Sequence, residues 1–210
     1  MKLQLPHVYP ITDTRISGIG HVEQLSRFIS GGATLVQLRD KSGPSGEFHD
    51  AAVRAIKLAH SHSVKIIIND RVDIALAAGA DGVHLGQDDL SPIEARKLLG
   101  PNAVIGYSTH TEEQAEAALK FPIDYIAFGP VFSTKTKENA DRVVGLKKLA
   151  AIRGLTRGLP LVAIGGIEAS NLRSVLATGA DSAAVISAVL SESGRIYQNV
   201  EDMLAMSEIV

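Results

Sequence analysis

Two aspartates lie where a pair of carboxylates could hold a metal ion. Asp70 and Asp89 come just past two consecutive segments that are rich in Val, Ile and Leu. If these segments are adjacent parallel strands, both carboxylates lie at the same edge of the sheet and can converge on one ion. Oxygen ligands suit Mg²⁺, which keeps several waters and binds phosphate oxygens of a substrate directly. Each aspartate could instead cap a helix, but capping does not explain why both follow neighbouring strands beside a group of cations.

Three cations near these aspartates would suit a diphosphate. Arg39 and Lys41 share the extended segment that leaves the second strand, where residues two apart face the same way. Arginine can form two forked bonds to phosphate, whereas lysine supplies a point charge. Lys137 lies in the loop after the sixth strand, close to two threonines. Ordinary surface charge is the other interpretation, but together with Mg²⁺ these side chains would neutralise a diphosphate.

Other polar and glycine residues also follow the strands. Gly165-Gly166 after the seventh strand and Ile186-Ser187 after the eighth occupy the usual phosphate-binding corner of a barrel, although a tight turn would also need glycine. The amides of Gln37 and Asn69 suit the edge of a heteroaromatic ring. His84 lies inside a strand and is interpreted as a core histidine, whereas a direct role for His110 stays open. No serine or cysteine lies in a nucleophile motif such as G-x-S-x-G.

Short β-branched segments alternate with amphipathic ones along the whole chain. We predict strands at residues 7–12, 33–38, 64–69, 81–85, 103–107, 123–128, 160–164 and 182–186. These runs show little strict alternation, as expected for strands that are buried on both faces. In the second helical segment, apolar residues recur at three- and four-residue spacing: Phe48, Ala52, Ala55, Ile56 and Ala59.

Eight such units predict a (β/α)8 TIM barrel with its active site at the C-terminal ends of the strands. An open doubly wound sheet is the alternative, but it usually carries a glycine-rich phosphate motif after its first strand, and Ile11–Thr14 has none. The length of 210 residues and an even composition predict one domain, 1–210. These observations favour an enzyme.

Composition narrows the classes of partner. The net charge of −2 gives no footprint for nucleic acid and no polybasic signal for membranes. No apolar run approaches the roughly 18 residues of a membrane span, and the N-terminus lacks the apolar core of a signal peptide. The chain has no cysteine, which excludes disulfides and thiolate metal sites. We therefore expect a cytoplasmic protein that acts on small-molecule substrates.

At these positions the sequence resembles the thiamine phosphate synthase family, also called thiamine-phosphate pyrophosphorylases. The likeness runs from Tyr9 to Ser187 and rests on an ordered set of motifs. They are YPITD (9–13), QLRDK (37–41), INDRVDIA (68–75), GVHLGQDD (82–89), YSTHT (107–111), FGPVFSTKTK (128–137), VAIGGI (162–167) and AVISA (184–188). Tyr107 is bulkier than the residue expected before the Ser-Thr-His run, which predicts a local change in the shape of the pyrimidine pocket.

The resemblance implies that the protein joins an aminopyrimidine methyl diphosphate to a thiazole phosphate and releases diphosphate. It implies Mg²⁺ held by Asp70 and Asp89. The pyrimidine diphosphate site would comprise Gln37, Leu38, Arg39, Asp40, Lys41, Asn69, Ser108 and Lys137, of which Arg39, Lys41, Ser108 and Lys137 would be catalytic. The thiazole phosphate site would comprise Thr134, Lys135, Thr136, Gly166, Ile186 and Ser187. In this reaction the pyrimidine methylene cation is stabilised by its own amino group, so no protein nucleophile is needed.

Two other functions stay open. A thiazole tautomerase on the same barrel is a close relative, and it would be expected to lack the full metal and diphosphate set. A non-enzymatic barrel that senses a phosphorylated metabolite would keep the Gly166 and Ser187 corner. Such a sensor would not need Asp70, Asp89 and Lys137 together.

Overall fold

A computed structural model of the chain describes residues 4–134, 136 and 142–208. Its strands are β1 Val8–Pro10, β2 Leu35–Leu38, β3 Lys65–Asn69, β4 Gly82–Leu85, β5 Val104–Thr109, β6 Tyr125–Phe128, β7 Leu161–Ile164 and β8 Ser182–Val185. All eight predicted strands are confirmed. The fifth runs two residues further than expected, because Ser108 and Thr109 pair with Ala127 and Phe128 of β6.

Helices follow the strands in turn. Those in the described residues are α1 Thr14–Ser17, α2 His21–Ser30, α3 Ser45–Ser61, α4 Val72–Ala78, α5 Pro92–Leu99, α6 Glu112–Ala118, α7 Gly145–Leu155, α8 Leu172–Leu176, α9 Ser187–Leu190 and α10 Ile196–Ser207. The five apolar residues predicted to share one face of the second helical segment are the buried residues of α3. Ser91 caps α5 by accepting the Glu94 N–H, and Pro92 occupies its first turn.

The strands form one parallel sheet in the order β1-β8-β7-β6-β5-β4-β3-β2. A bridge between Ile11 and Gln37 joins its two edges, and the Thr12 N–H donates to the Gln37 carbonyl at 2.9 Å. The sheet is therefore a closed (β/α)8 barrel, as predicted. No helix in the described part of the chain is both long and apolar enough to cross a membrane.

Alternate residues of each strand face the barrel axis. The inward cluster comprises Tyr9, Ile11, Leu35, Ile67, Val104, Tyr125, Ala127, Val162 and Ala184. The intervening residues pack outward against the helices, and Tyr107 belongs to this outer layer, where its ring meets Phe121 edge-on. The bulk of Tyr107 is thus accommodated outside the barrel interior. This alternation decides which polar side chains reach the upper end of the barrel.

Three aspartates tie neighbouring strands together at the opposite, N-terminal end. Asp81, Asp124 and Asp181 each stand at the start of an even-numbered strand. Each carboxylate accepts a backbone N–H of the preceding strand, at 2.8, 2.8 and 2.7 Å respectively: the donors are Ile66, Ile105 and Leu161. These carboxylates therefore stabilise the barrel, away from the end where the candidate site lies.

Gly106 makes room for an aromatic ring inside the barrel. It stands beside Tyr125 in the β5–β6 register, and a Cβ on it would overlap that ring. Gly106→Ala should therefore lower the free energy of unfolding by about 1–3 kcal/mol, the usual cost of overpacking a core. Chemical denaturation followed by circular dichroism measures this change.

Gly154→Ala is the matched control for that substitution. Gly154 is an exposed glycine within α7, and apart from the local helix backbone and its two chain neighbours a Cβ there meets no atom within 4 Å. Alanine at this helical position should stabilise the protein by roughly 0.5–1 kcal/mol. Equal effects of the two substitutions would contradict the packing argument.

Candidate active site

Two adjacent cavities open at the C-terminal end of the barrel. The first, called here the polar cavity, is lined by charged and polar side chains at or just after the C-terminal ends of β2 to β5: Arg39, Lys41, Asn69, Asp70, Asp89 and Ser108 among others. The second, called the apolar cavity, lies over β6 to β8 and is lined chiefly by Gly129, Pro130, Ile164, Gly166, Ile186 and Ser187. His110 and Thr136 line both cavities. Two ligands could therefore meet at this shared wall.

Asp70 occupies a strained turn at the end of β3. Its φ of 61° lies in the left-handed region, and the Arg71 N–H donates across it to the Asn69 carbonyl at 2.7 Å. The Asp70 N–H donates to the His84 carbonyl at 2.8 Å, which ties the turn to β4. Non-glycine residues rarely adopt this conformation, aspartate being among the more tolerant, and such strain is typical of functional sites. The turn places the Asp70 side chain in the wall of the polar cavity.

Asp89 faces Asp70 from the loop after β4. Its Oδ2 accepts the Gly86 N–H at 2.7 Å, which fixes the carboxylate within the loop. Burial raises the pKa of the Asp89 carboxyl, and the neighbouring Asp70 raises it further, against the opposing effects of the Gly86 N–H and Lys41. A bound cation would favour the ionised form of the Asp89 carboxyl beside Asp70, so the two side chains form a suitable donor set.

The polar cavity also contains cations held by carboxylates. Arg39 is only 7% exposed and pairs with the buried Asp13, which also accepts the Arg15 N–H at 3.0 Å and so caps α1. Breaking one partner of a buried pair typically costs about 3–5 kcal/mol, so Arg39 is firmly oriented. Lys41 lies nearer to solvent and pairs with Asp70. Sequence and structure thus agree in bringing Arg39, Lys41, Asp70 and Asp89 together.

Asn69 contributes a buried amide to the wall of the polar cavity. The residue is 7% exposed, and within the described residues its Nδ2 has no hydrogen-bond partner. Leaving a buried donor unpaired costs about 1–3 kcal/mol, and most buried polar groups are paired. Because Asn69 lines the polar cavity, a ligand acceptor would satisfy this donor.

The run of residues 37–41 does not act as one unit. Strand alternation sends Leu38 outward into the core beneath the helices. The Asp40 carboxylate accepts the N–H groups of Ser42 and Gly43 at 2.9 and 2.7 Å, and so shapes its own loop. Gln37 lies inside the barrel and donates to the Tyr9 hydroxyl at 3.2 Å. Of the five, Arg39 and Lys41 line the polar cavity.

The loop after β6 packs against the two glycines that follow β7. Gly166 has a φ of 65°, and a Cβ on it would lie 2.5 Å from the Ser133 carbonyl oxygen. The Phe132 N–H donates to the Gly165 carbonyl at 2.9 Å, so this close approach is part of the fold. Glycine is therefore needed here for packing as well as for any backbone contact with a phosphate.

The remaining predicted residues of the second site surround the apolar cavity. Thr134, Thr136, Gly166, Ile186 and Ser187 all line it, and the Thr136 N–H donates to Thr134 Oγ1 at 3.3 Å. The first turn of a helix has N–H groups without helical acceptors, and Ser187 begins α9 at this wall. Lys135 and Lys137, predicted for the two sites, lie outside the described residues.

Comparisons with known proteins show the family. The family model described as thiamine monophosphate synthase matches residues 8–189. The chain belongs to this family. A thiamine-phosphate synthase of Koribacter versatilis is 48% identical over 193 residues, which cover 90% of each chain. The relative of that name from Persephonella marina is 42% identical and covers 96% of this chain and 95% of its own.

A solved structure supports the same grouping within the thiamine monophosphate synthase family. The thiamine phosphate pyrophosphorylase of Pyrococcus furiosus superposes with a TM-score of 0.87 at 37% identity, covering 96% of this chain and 95% of its own. Both the fold and the ordered motifs of the sequence are therefore those of an enzyme family.

Sequence reasoning missed Arg15 in this member of the family. Arg15 is the second residue of α1, and it lines the polar cavity and a neighbouring groove that reaches Gly166 and Ser187. Its Nε lies 3.8 Å from Asp13 Oδ1. The sequence signal for Arg15 is its position shortly after β1, because the active sites of barrels lie at the C-terminal ends of the strands. His110, whose role the sequence left open, lies in the wall shared by the two cavities, and its Nδ1 contacts the Gly129 carbonyl at 2.7 Å.

The proximity of Asp70 and Asp89 predicts that the site lowers the free energy of unfolding. A carboxyl whose pKa is raised on folding costs nothing below its ordinary pKa, and its full cost applies above the raised value. In chelator at neutral pH, Asp89→Asn should therefore stabilise the protein, by up to about 1 kcal/mol because solvent screens a partly exposed pair. Thermal or urea unfolding at several pH values measures the difference, which should vanish in acid.

Asp88→Asn is the control for this measurement, since Asp88 is exposed on the same loop. It should change stability little at any pH. An Asp89→Asn protein that is less stable than the parent at neutral pH would show that the carboxylate stabilises the loop instead.

Proposed function

We propose that this protein is a thiamine-phosphate synthase. It would transfer the aminopyrimidine methyl group of a pyrimidine methyl diphosphate to the ring nitrogen of a thiazole phosphate, or its carboxylated form, and release diphosphate. Curated relatives of that name, 41–48% identical over most of the chain, support the proposal. The observation that carries it is the pairing of a polar, carboxylate- and cation-lined cavity with an apolar one across a shared wall of His110 and Thr136.

Asp70 and Asp89 would hold Mg²⁺. Among the described residues, no three His, Asp or Glu side chains are grouped to enclose a metal. The described part of the site therefore offers two carboxylates, and water and phosphate oxygens would fill other positions. Such a site suits Mg²⁺, which seldom occupies an all-protein cage. When bound there, Mg²⁺ would offset the negative charge of the diphosphate.

The side chains of the polar cavity would stabilise the leaving group. Arg39, oriented by Asp13, and Lys41 would balance negative charge that grows on the diphosphate as the bond breaks, without reorganising during the reaction. Ser108 and Asn69 would donate hydrogen bonds, and the sequence assigns Lys137 to the same task. The departing diphosphate leaves a pyrimidine methylene cation that its own amino group stabilises, so the protein needs no nucleophile.

The apolar cavity would orient the thiazole. Backbone N–H groups at Gly166 and Ser187, with the hydroxyls of Thr134 and Thr136, would bind its phosphate, and Ile186 would contact the ring. Lys135 is assigned to this phosphate by the family resemblance alone. Holding the two rings in line and excluding water are the main catalytic tasks, because water would otherwise capture the cation.

Substituting the metal-binding carboxylates tests the proposal by activity. Asp70→Asn should leave the fold intact, since asparagine also tolerates a positive φ. Removing a charged ligand of the metal that would offset the charge of the diphosphate should lower kcat about 10²–10³-fold, by analogy with the loss of one preorganised group. Formation of thiamine phosphate, followed by its oxidised fluorescence with both substrates present, gives the rate.

Asp73→Asn is the matched control for Asp70→Asn. Asp73 is an exposed carboxylate three residues further on and pairs with Arg71 outside the polar cavity. Its substitution should leave the rate unchanged. Full activity of Asp70→Asn in the presence of EDTA would overturn the assignment of the metal site.

Binding measurements separate the synthase from a tautomerase or a sensor. Inorganic diphosphate should bind in a Mg²⁺-dependent way, because Asp70 and Asp89 otherwise repel it, and it should raise the unfolding temperature as a ligand of the folded state. Thiazole phosphate should bind without Mg²⁺. Calorimetric titration with each ligand, with and without Mg²⁺, gives the comparison. Thiazole phosphate binding alone would indicate a tautomerase or sensor.

A further inference from the structure

A row of hydrogen-bonded side chains crosses the barrel interior beneath the polar cavity. Gln37 Nε2 lies 3.2 Å from the Tyr9 hydroxyl, which lies 3.3 Å from the Tyr125 hydroxyl. The Tyr125 hydroxyl lies 2.9 Å from His84 Nδ1, and His84 Nε2 lies 2.8 Å from Ser108 Oγ. We call these five residues the interior row.

Burying the polar side chains of the interior row costs more free energy than burying apolar ones. Its members except Ser108 are at most 7% exposed, at positions that barrels usually fill with branched apolar residues. The His84 ring stacks on Tyr125 with centroids 5.5 Å apart, which fixes the imidazole plane. Buried polar groups are tolerated when they are paired, and complete networks define one arrangement. The row ends at Ser108, which lines the polar cavity.

The row has a direction that follows from counting hydrogens. Burial raises the pKa of Tyr9 and of Tyr125, so both are neutral phenols with one O–H each. The Gln37 amide nitrogen donates to the Tyr9 hydroxyl. The buried Tyr9 O–H itself needs an acceptor, and among the described residues the Tyr125 hydroxyl lies within hydrogen-bond distance, so we direct the Tyr9 hydrogen to Tyr125. The Tyr125 hydrogen then goes to His84 Nδ1.

The same assignment of hydrogens extends through His84 to Ser108 at the polar cavity. A His84 Nδ1 that accepts a hydrogen bond leaves the proton of the neutral ring on Nε2. That N–H donates to Ser108 Oγ. Because Oγ accepts this hydrogen bond, the Ser108 hydroxyl hydrogen is directed away from His84 and is available to a ligand in the polar cavity that Ser108 lines.

We propose that Tyr125 and His84 are positioning residues that fix the Nε2–H tautomer of His84 and so orient Ser108 to donate its hydrogen bond into the polar cavity. The acceptor is an anionic oxygen of the substrate's diphosphate, and this last assignment rests on the proposed function. In the opposite direction, His84 would accept the Ser108 hydrogen and Ser108 would offer only a lone pair. An anionic ligand discriminates between these two states.

The tautomer is measured on the free protein. In protein labelled with ¹⁵N at histidine, two-dimensional spectra at neutral pH distinguish a protonated ring nitrogen from an unprotonated one, and the spectrum of His84→Gln identifies the His84 signals. We expect the proton on Nε2. A proton on Nδ1, or on both nitrogens, overturns the proposal. This result is independent of catalysis, so an inactive enzyme with the Nε2–H tautomer would contradict the proposed function and not the interior row.

Tyr125→Phe tests the consequence for catalysis. Losing the hydroxyl frees His84 to exchange tautomers, and kcat should fall about 10–100-fold, by analogy with losing the hydrogen-bond partner that orients a metal-binding histidine. The KM values of both substrates should stay within about twofold, because ground-state contacts remain. The same variant should show His84 in a mixture of tautomers.

Thr109→Val is the matched control, since it also removes a buried hydroxyl. Thr109 follows Ser108 on β5, and its Oγ1 donates to the Ala127 carbonyl at 3.0 Å outside the interior row. It should reduce stability with kcat unchanged. Equal loss of kcat in Thr109→Val and Tyr125→Phe would show that the interior row acts only through the stability of the fold, and would overturn the proposal.

Rescue by a conservative change at His84 completes the test. Gln at position 84 keeps an amide N–H near the place of Nε2, whereas Leu offers no donor. His84→Gln should therefore retain several-fold more kcat than His84→Leu. Equal rates in the two variants would contradict a donor role, and if neither folds, the tautomer measured in the parent protein decides.

Discussion

A closed sheet of eight parallel strands lets only every second residue of each strand reach the barrel axis. Below the site these inward positions are filled by the apolar cluster around Ile67, Val104 and Val162. At the upper end the halves of the barrel differ. Strands β2 to β5 turn Gln37, Asn69, His84 and Ser108 inward, whereas β6 to β8 offer small or aliphatic residues such as Ala184. The division into a polar and an apolar cavity therefore follows from which residues fall in the inward register.

The polar half is energetically unfavourable in the free protein. Asp70 has a strained backbone, Asp89 carries a raised pKa beside it, and Asn69 presents a buried amide without a partner among the described residues. Lys41 and the Arg39–Asp13 pair offset part of this cost. The free energy of unfolding is lowered by these groups. In return, they need no rearrangement when an anion and a cation bind, as electrostatic preorganisation requires.

The sequence predicted the features that depend on neighbours along the chain. Eight buried runs gave the strands, and the residues at their ends gave the carboxylate and cation pairs of the polar cavity. Strand alternation could also have predicted that Leu38 faces outward. The longer β5 could not be foreseen, because it depends on pairing with β6. Contacts between residues distant in sequence, such as Tyr9 with Tyr125, likewise need the closed barrel.

His84 shows why the structural and functional interpretations of one residue need not compete. The sequence suggested a satisfied core histidine, and both of its ring nitrogens do contact buried or partly buried hydroxyls. Yet those contacts link the packing of the core to the wall of the polar cavity. Gly106 leaves space for the Tyr125 ring, Tyr125 contacts His84, and His84 contacts Ser108. Since each step is a close contact with one preferred geometry, a change in core packing at Gly106 would displace the hydroxyl offered to the ligand. In this half of the barrel the packing of the core and the geometry of the candidate site therefore depend on each other. A substitution in the core that preserves folding can still change the site.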